Sequence, residues 1–206
     1  MPCPLTAGYI LDCKESLGGL KSIRLVEWDN MDTTPVVAGV STITMDAGKK
    51  FWKYELVSQT SSWTETITAN VQNGTIFYQQ EVTMVLNKMK ASTRNEILLI
   101  AKNRLAIIVE DMNGVYWLIG RVNAADLTAG NGTSGTANGD RNGYTLTFTA
   151  MEAEPAPTVL ANLIALGVAY YMIDGERDLL GIGLGSFALV TLLAALSAIP
   201  HQGTTS

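Results

Sequence analysis

The sequence predicts a mainly β protein, a β-sandwich or barrel with one flanking α-helix, followed by a C-terminal hydrophobic α-helical hairpin. Three observations carry this. Apolar and polar side chains alternate with period two through several runs between residues 51 and 152, the mark of half-buried strands. Asn73-Gly74 and Asn113-Gly114 lie between such runs, where both residue types tolerate the positive φ of a hairpin turn. After Pro157 the character changes to two long stretches without charge.

The runs are taken in chain order. In "FWKYEL", residues 51–56, Trp52, Tyr54 and Leu56 share one face and Lys53 and Glu55 the other. "SWTETITANV" repeats the alternation, with Thr64, Thr66 and Thr68 on the wet face and Trp63, Ile67, Ala69 and Val71 expected inward. Across the Asn73-Gly74 turn, "TIFYQQEVTMVLNKM" returns as a second strand with Ile76, Val82, Met84 and Leu86 in register. The period then changes. Thr93 followed by Glu96 fits a capping box, and Ile97, Leu98, Ile100 and Ala101 form an apolar stripe, so a short amphipathic helix is expected near residues 92–103. "LAIIVED" and "VYWLIGR" form a second hairpin about Met112-Asn113-Gly114, and its first strand, the most apolar of the domain, is expected to be central. Residues 123–143 hold almost no bulky side chain and read as a Gly-rich loop. "YTLTFTAME" follows as a strand with Tyr144, Leu146 and Phe148 toward the core, and "AEPAP" ends it because proline cannot donate to a ladder. The β-rich assembly domain is thus placed at residues 1–157.

Residues 158–200 read as the hydrophobic hairpin and 201–206 as a short tail. The run 159–173 would be roughly 22 Å long as a helix and the run 179–199 about 30 Å, the thickness of a bilayer's hydrocarbon core. Both are apolar all round, joined by the charged "DGERD", and Gly181, Gly183, Gly185, Ala188, Ala194 and Ala195 suit close helix contact. Such a segment must be covered by a lipid bilayer, through residues 159–199, or by protein.

Composition excludes several functions. The 206 residues carry a net charge of -5 and no basic patch, against a protein that grips nucleic acid through phosphates. Cys3 and Cys13 have no CxxC spacing and no nearby histidine, so two free thiols, or a disulfide closing a short loop, are the readings rather than zinc. The N-terminus lacks the basic start and long apolar run of a signal peptide. "GNGTSG", residues 130–135, matches a dinucleotide fingerprint literally but is not expected between a strand and a helix, and "GIGLG" at 181–185 sits inside an apolar run. His201 stands close to the end, a poor place for a catalytic base. Glu110-Asp111 read as a solvated hairpin tip rather than a calcium loop, and Glu152 and Glu154 flank a strand end without a shared pocket. No catalytic, metal or cofactor residue is therefore assigned, and the chain is expected not to be an enzyme.

The ordered series "GGLKSIRLVEWDN", "GTIFYQQEVTMVLNKMKASTRNEILLIAKNRLAIIVEDMNGVYWLIGR" and "GTANGDRNGYTLTFTAMEAEPAP", over about residues 17–157, resembles structural proteins of tailed bacteriophages that infect Bacteroidota, of the tail-tube or a related virion type. The resemblance implies a virion location and a β-sandwich or barrel repeated by edge-to-edge pairing into a ring or tube homo-oligomer. It also implies contacts with other virion proteins, and with DNA only by non-specific passage through a lumen, which an acidic wall would favour. It transfers no residue-level site. The segment after Pro157 departs from that family and opens a membrane-associated position in the virion, a tube or collar subunit whose extra helices pack on neighbouring subunits, or a membrane-anchored non-viral binding module, as the alternatives.

Overall fold

The computed structural model describes residues 8–9, 14–32 and 34–160. The strands are β1 (Leu20–Glu27), β2 (Val36–Val37), β3 (Val40–Ser41), β4 (Trp52–Glu55), β5 (Ser62–Asn70), β6 (Thr75–Asn87), β7 (Leu105–Asp111), β8 (Tyr116–Ile119), β9 (Ala125–Thr133), β10 (Gly143–Glu152) and β11 (Thr158–Val159). One helix, α1 (Ala91–Ile100), lies between β6 and β7. Mainly β is therefore the observed class. Of the hydrophobic hairpin expected over residues 158–200, residues 161–200 lie outside the described residues, as do Cys3, Cys13 and His201; among the described residues no helix is long and apolar enough to cross a membrane.

All eleven strands belong to one mixed sheet, in the order β2-β3-β11-β8-β7-β9-β10-β6-β5, with β1 on β7 and β4 on β1. The pairings are antiparallel except β11 with β3. A single residue pair, Leu105 with Ala125, joins β7 to β9 and divides the sheet into two halves. Those halves share a core. Leu20, Ile23 and Leu25 of β1 and Ile107 and Val109 of β7 cluster with Val82 and Met84 of β6 and Leu146 and Phe148 of β10. Trp63 of β5 meets Trp117 of β8, ring centroids 5.4 Å apart, although the two strands are far apart in the sheet order.

β7 is central, as its sequence suggested. Leu105, Ile107 and Val109 enter the shared core, while Ile108 packs with Leu118 and Val159 on the opposite face. A strand covered on both faces has no reason to alternate, which explains the unbroken "LAIIV". Val159 takes part in this second cluster and β11 pairs with both β3 and β8. The β domain thus continues through Thr158–Val159, two residues past the boundary expected at Pro157, and Val159 is strand rather than the start of an apolar helix.

Gly120 closes the corner between the halves. Its φ is +70°, and a Cβ there would stand 2.6 Å from the backbone N of Ala125 and 2.8 Å from the carbonyl carbon of Ala124. Neither atom can move without opening the only link between β7 and β9. Gly120→Ala is expected to destabilise the fold by more than about 2 kcal/mol, read from urea unfolding, since strained φ and a backbone clash add. A loss under about 0.5 kcal/mol would contradict it.

Helix α1 begins after Lys90, whose backbone is extended and which makes no side-chain cap. Thr93 lies inside the helix, so the expected capping box does not form there. The apolar stripe is narrower than the pattern implied: Ile100 is buried and Ile97 packs on the core, but Leu98, Leu99 and Ala101 are exposed. One turn of contact holds this helix to the sheet.

Candidate interaction surface

Among the described residues two long strands have an open edge, in addition to the outer sides of the short strands β2 and β4. β5 pairs only with β6, and no described strand lies on its other side. β9 pairs with β10 along its length, but toward β7 only through Ala125, which leaves residues 126–133 without a backbone partner strand. These are the two outer strands of the half β9-β10-β6-β5. Soluble proteins guard such edges with lysine, proline, charge or short length. "SWTETITAN" has nine residues and one charge, and "ADLTAGNGT" has nine and one charge; neither contains lysine or proline.

That β9 is a strand at all corrects the sequence reading, which took residues 123–143 as a loop. The cause is its partner. Tyr144 stands opposite Gly132 and Leu146 opposite Gly130, so large side chains of β10 lie across glycines of β9. A Cβ on Gly132 would come within 3.0 Å of the Tyr144 ring, and one on Gly130 within 3.3 Å of Leu146. The glycines let β10 supply the surface that β9 lacks. Thr128 is the extra residue of a bulge, and its hydroxyl donates to the Thr147 carbonyl at 3.2 Å. Only the segment after it turns: the Asp140 carboxylate accepts from the backbone N–H of Thr136 and Ala137, and those bonds hold its pKa below the ordinary aspartate value.

The β5–β6 hairpin leaves the body at a polar clamp. Gln80 Oε1 accepts from Gly120 N at 3.2 Å, and its Nε2 donates to Glu65 Oε2 at 3.1 Å. The same carboxylate oxygen accepts from Ala156 N at 2.8 Å. β10 accompanies β6 for two residues past this clamp, to Glu152 opposite Tyr78, and beyond that pair the hairpin overhangs. Cross-strand partners share a face, so Trp63–Val82 and Glu65–Gln80 continue outward as Ile67–Tyr78 and Ala69–Ile76. The face that enters the core at Val82 is thus still apolar where nothing described covers it: Ile67 is 61% exposed, Ile76 54% and Val71 at the turn 94%. The sequence pattern placed Ile67, Ala69, Val71 and Ile76 inward; Ile67, Ala69 and Ile76 stand on the predicted face, but past the end of the core, and Val71 lies in the turn after β5.

Of the titratable groups that sequence singled out, Glu110, Asp111, Glu152 and Glu154 make hydrogen bonds or ion pairs within the fold. Glu110 is buried, not at a solvated tip. Ser22 Oγ donates to its Oε2 at 2.6 Å, Lys21 Nζ lies 2.9 Å from Oε1, and Arg24 lies 3.5 Å from Oε2 with its guanidinium over the Tyr116 ring. Burial pushes the carboxyl up, but the bonds from Ser22 and Lys21 and the charges of Lys21 and Arg24 outweigh it and bring the pKa to about 2. Asp111 instead accepts from Asn113 N and Val115 N and shapes the turn. Glu152 is also buried and accepts from Val122 N and Asn123 N, while Glu154 pairs with Arg121 at 2.7 Å. "GNGTSG" is the end of β9 and the turn after it. Among the described residues no group of histidine, cysteine and carboxylate side chains could hold a metal ion. Comparison with protein-family models, with curated proteins and with solved structures finds no match to this chain.

Proposed function

We propose that this chain is a virion structural subunit of the tail-tube-like type, whose copies join edge to edge, β5 of one against β9 of the next. The observation that supports it is the four-stranded half β9-β10-β6-β5, which has open edges on opposite sides, nine residues of β5 and residues 126–133 of β9, neither with lysine or proline. A contact between two different patches is heterologous. Repeated by a constant rotation, it closes into a ring or runs into a helical tube. Each added copy would satisfy the backbone groups its neighbour leaves open, as in strand-addition interfaces generally. In this reading the β-sandwich or barrel expected from the sequence is the subunit's own packing, with the other half of the sheet, β4-β1-β7-β8, backing the half that pairs with neighbours.

Sedimentation velocity and negative-stain microscopy of the full chain without detergent test this reading. Regular rings or tubes of constant width are expected. A single dispersed monomer across the accessible concentration range would overturn it.

A further inference from the structure

We propose that the uncharged segment 179–199 of the chain packs on the apolar overhang of its own β5–β6 hairpin. This site is a face of the hairpin rather than its edge, so the inference does not rest on the ring reading.

The overhang has one apolar face, formed by Ile67, Ala69, Ile76 and Tyr78 in register, and an opposite face that carries Thr66, Thr68, Asn70, Thr75 and Gln79 with Phe77 as its single apolar member. No charge occurs between residues 66 and 80. Lipid would surround such a hairpin and strand its threonines, whereas a single protein segment covers one face and leaves the other wet. The chain holds a fitting occupant in residues 179–199, which contain no charged side chain. Its point of departure is on the correct side. Ala156 donates to Glu65, whose side chain shares the apolar face of β5, and β11 pairs with β8, whose Trp117 meets Trp63 on that same face. The described chain ends at Leu160, half exposed, just beyond β11.

Reach does not limit the contact. Residues 161–178 can span up to about 60 Å when extended, and the stretch from Glu65 to Ala69 measures about 14 Å at strand rise. An occupant tethered by so short a connection acts at a high effective concentration, which favours the chain's own segment over a neighbour's.

The test uses the full chain with Cys3→Ser and Cys13→Ser, carrying Ile76→Cys labelled with a benzophenone maleimide. Equal amounts of isotopically heavy and light copies are mixed, with phosphatidylcholine vesicles present, and irradiated. Crosslinks from position 76 to residues 179–199 within one isotopic copy are expected. The same label on Thr68→Cys, on the opposite face, should not reach that segment. Iodoacetamide should also alkylate Ile76→Cys at least about tenfold more slowly than Thr68→Cys, because only the open fraction reacts. Crosslinks to phospholipid, crosslinks between heavy and light copies, or equal alkylation rates at the two positions would each overturn the proposal. The Thr66→Lys, Thr68→Lys chain, designed to block edge pairing, should retain the crosslink from Ile76→Cys. Loss of assembly and loss of this contact are therefore separable.

Discussion

A chain with Thr66→Lys and Thr68→Lys is expected to fold normally and to remain monomeric. Both threonines are exposed on the open strand β5, so the changes remove no core contact, and the stability change should stay within about 0.5 kcal/mol. Inward-facing or edge lysines are a natural defence against strand addition, because a paired edge would bury or crowd their charge. Two such penalties of about 1 to 2 kcal/mol each raise the concentration needed for assembly by roughly thirty- to a thousandfold. Ala129→Lys with Asn131→Lys should have the same consequence from the other edge, since both lie in the exposed part of β9. Sedimentation velocity reads the assembly and urea unfolding reads the fold. Assembly at the parent concentration by either variant would remove its edge from the interface.

Glu110→Ala is expected to destabilise the domain by about 3 kcal/mol at pH 7, because it leaves the largely buried Arg24 without its carboxylate and Ser22 without its acceptor. The pH dependence has a definite sign. The carboxyl pKa falls from 4.5 to about 2 on folding, so its contribution is fully present above pH 4.5 and is lost as the pH drops from there through about 2. Parent protein should lose stability across that window, and Glu110→Ala should lose correspondingly less. Urea midpoints at pH 7 and pH 3 give the comparison. Parallel losses in the two proteins would assign the acid sensitivity to other carboxylates.

Strands that carry their own alternation were legible from sequence, and those that depend on a partner were not. The β5–β6 and β7–β8 hairpins, central β7 and the core positions Leu146 and Phe148 follow from period and turn chemistry alone. β9 did not, because what makes it a strand is the Tyr144 and Leu146 side chains of β10. β2, β3 and β11 are two residues each, too short for any period to show. β1 reads "LKSIRLVE" with Leu20, Ser22, Ile23, Leu25 and Val26 all buried, so no alternation marks it. Its polar member, Ser22, is explained only by the bond to Glu110 across the sheet. The interaction surface was partly legible. Threonine-rich hairpins suggested exposed edges, but which edges stay open depends on strand order, and strand order is set by long-range pairing.

Edge complementarity is tested most directly by mixing the two blocked proteins. The Thr66→Lys, Thr68→Lys copy keeps an intact β9 edge, and the Ala129→Lys, Asn131→Lys copy keeps an intact β5 edge. Each should sediment as a monomer alone, and together they should form a one-to-one dimer that grows no further, since only one compatible pair of edges remains. A mixture that stays monomeric, or a blocked protein that still assembles by itself, would contradict the pairing of β5 with β9.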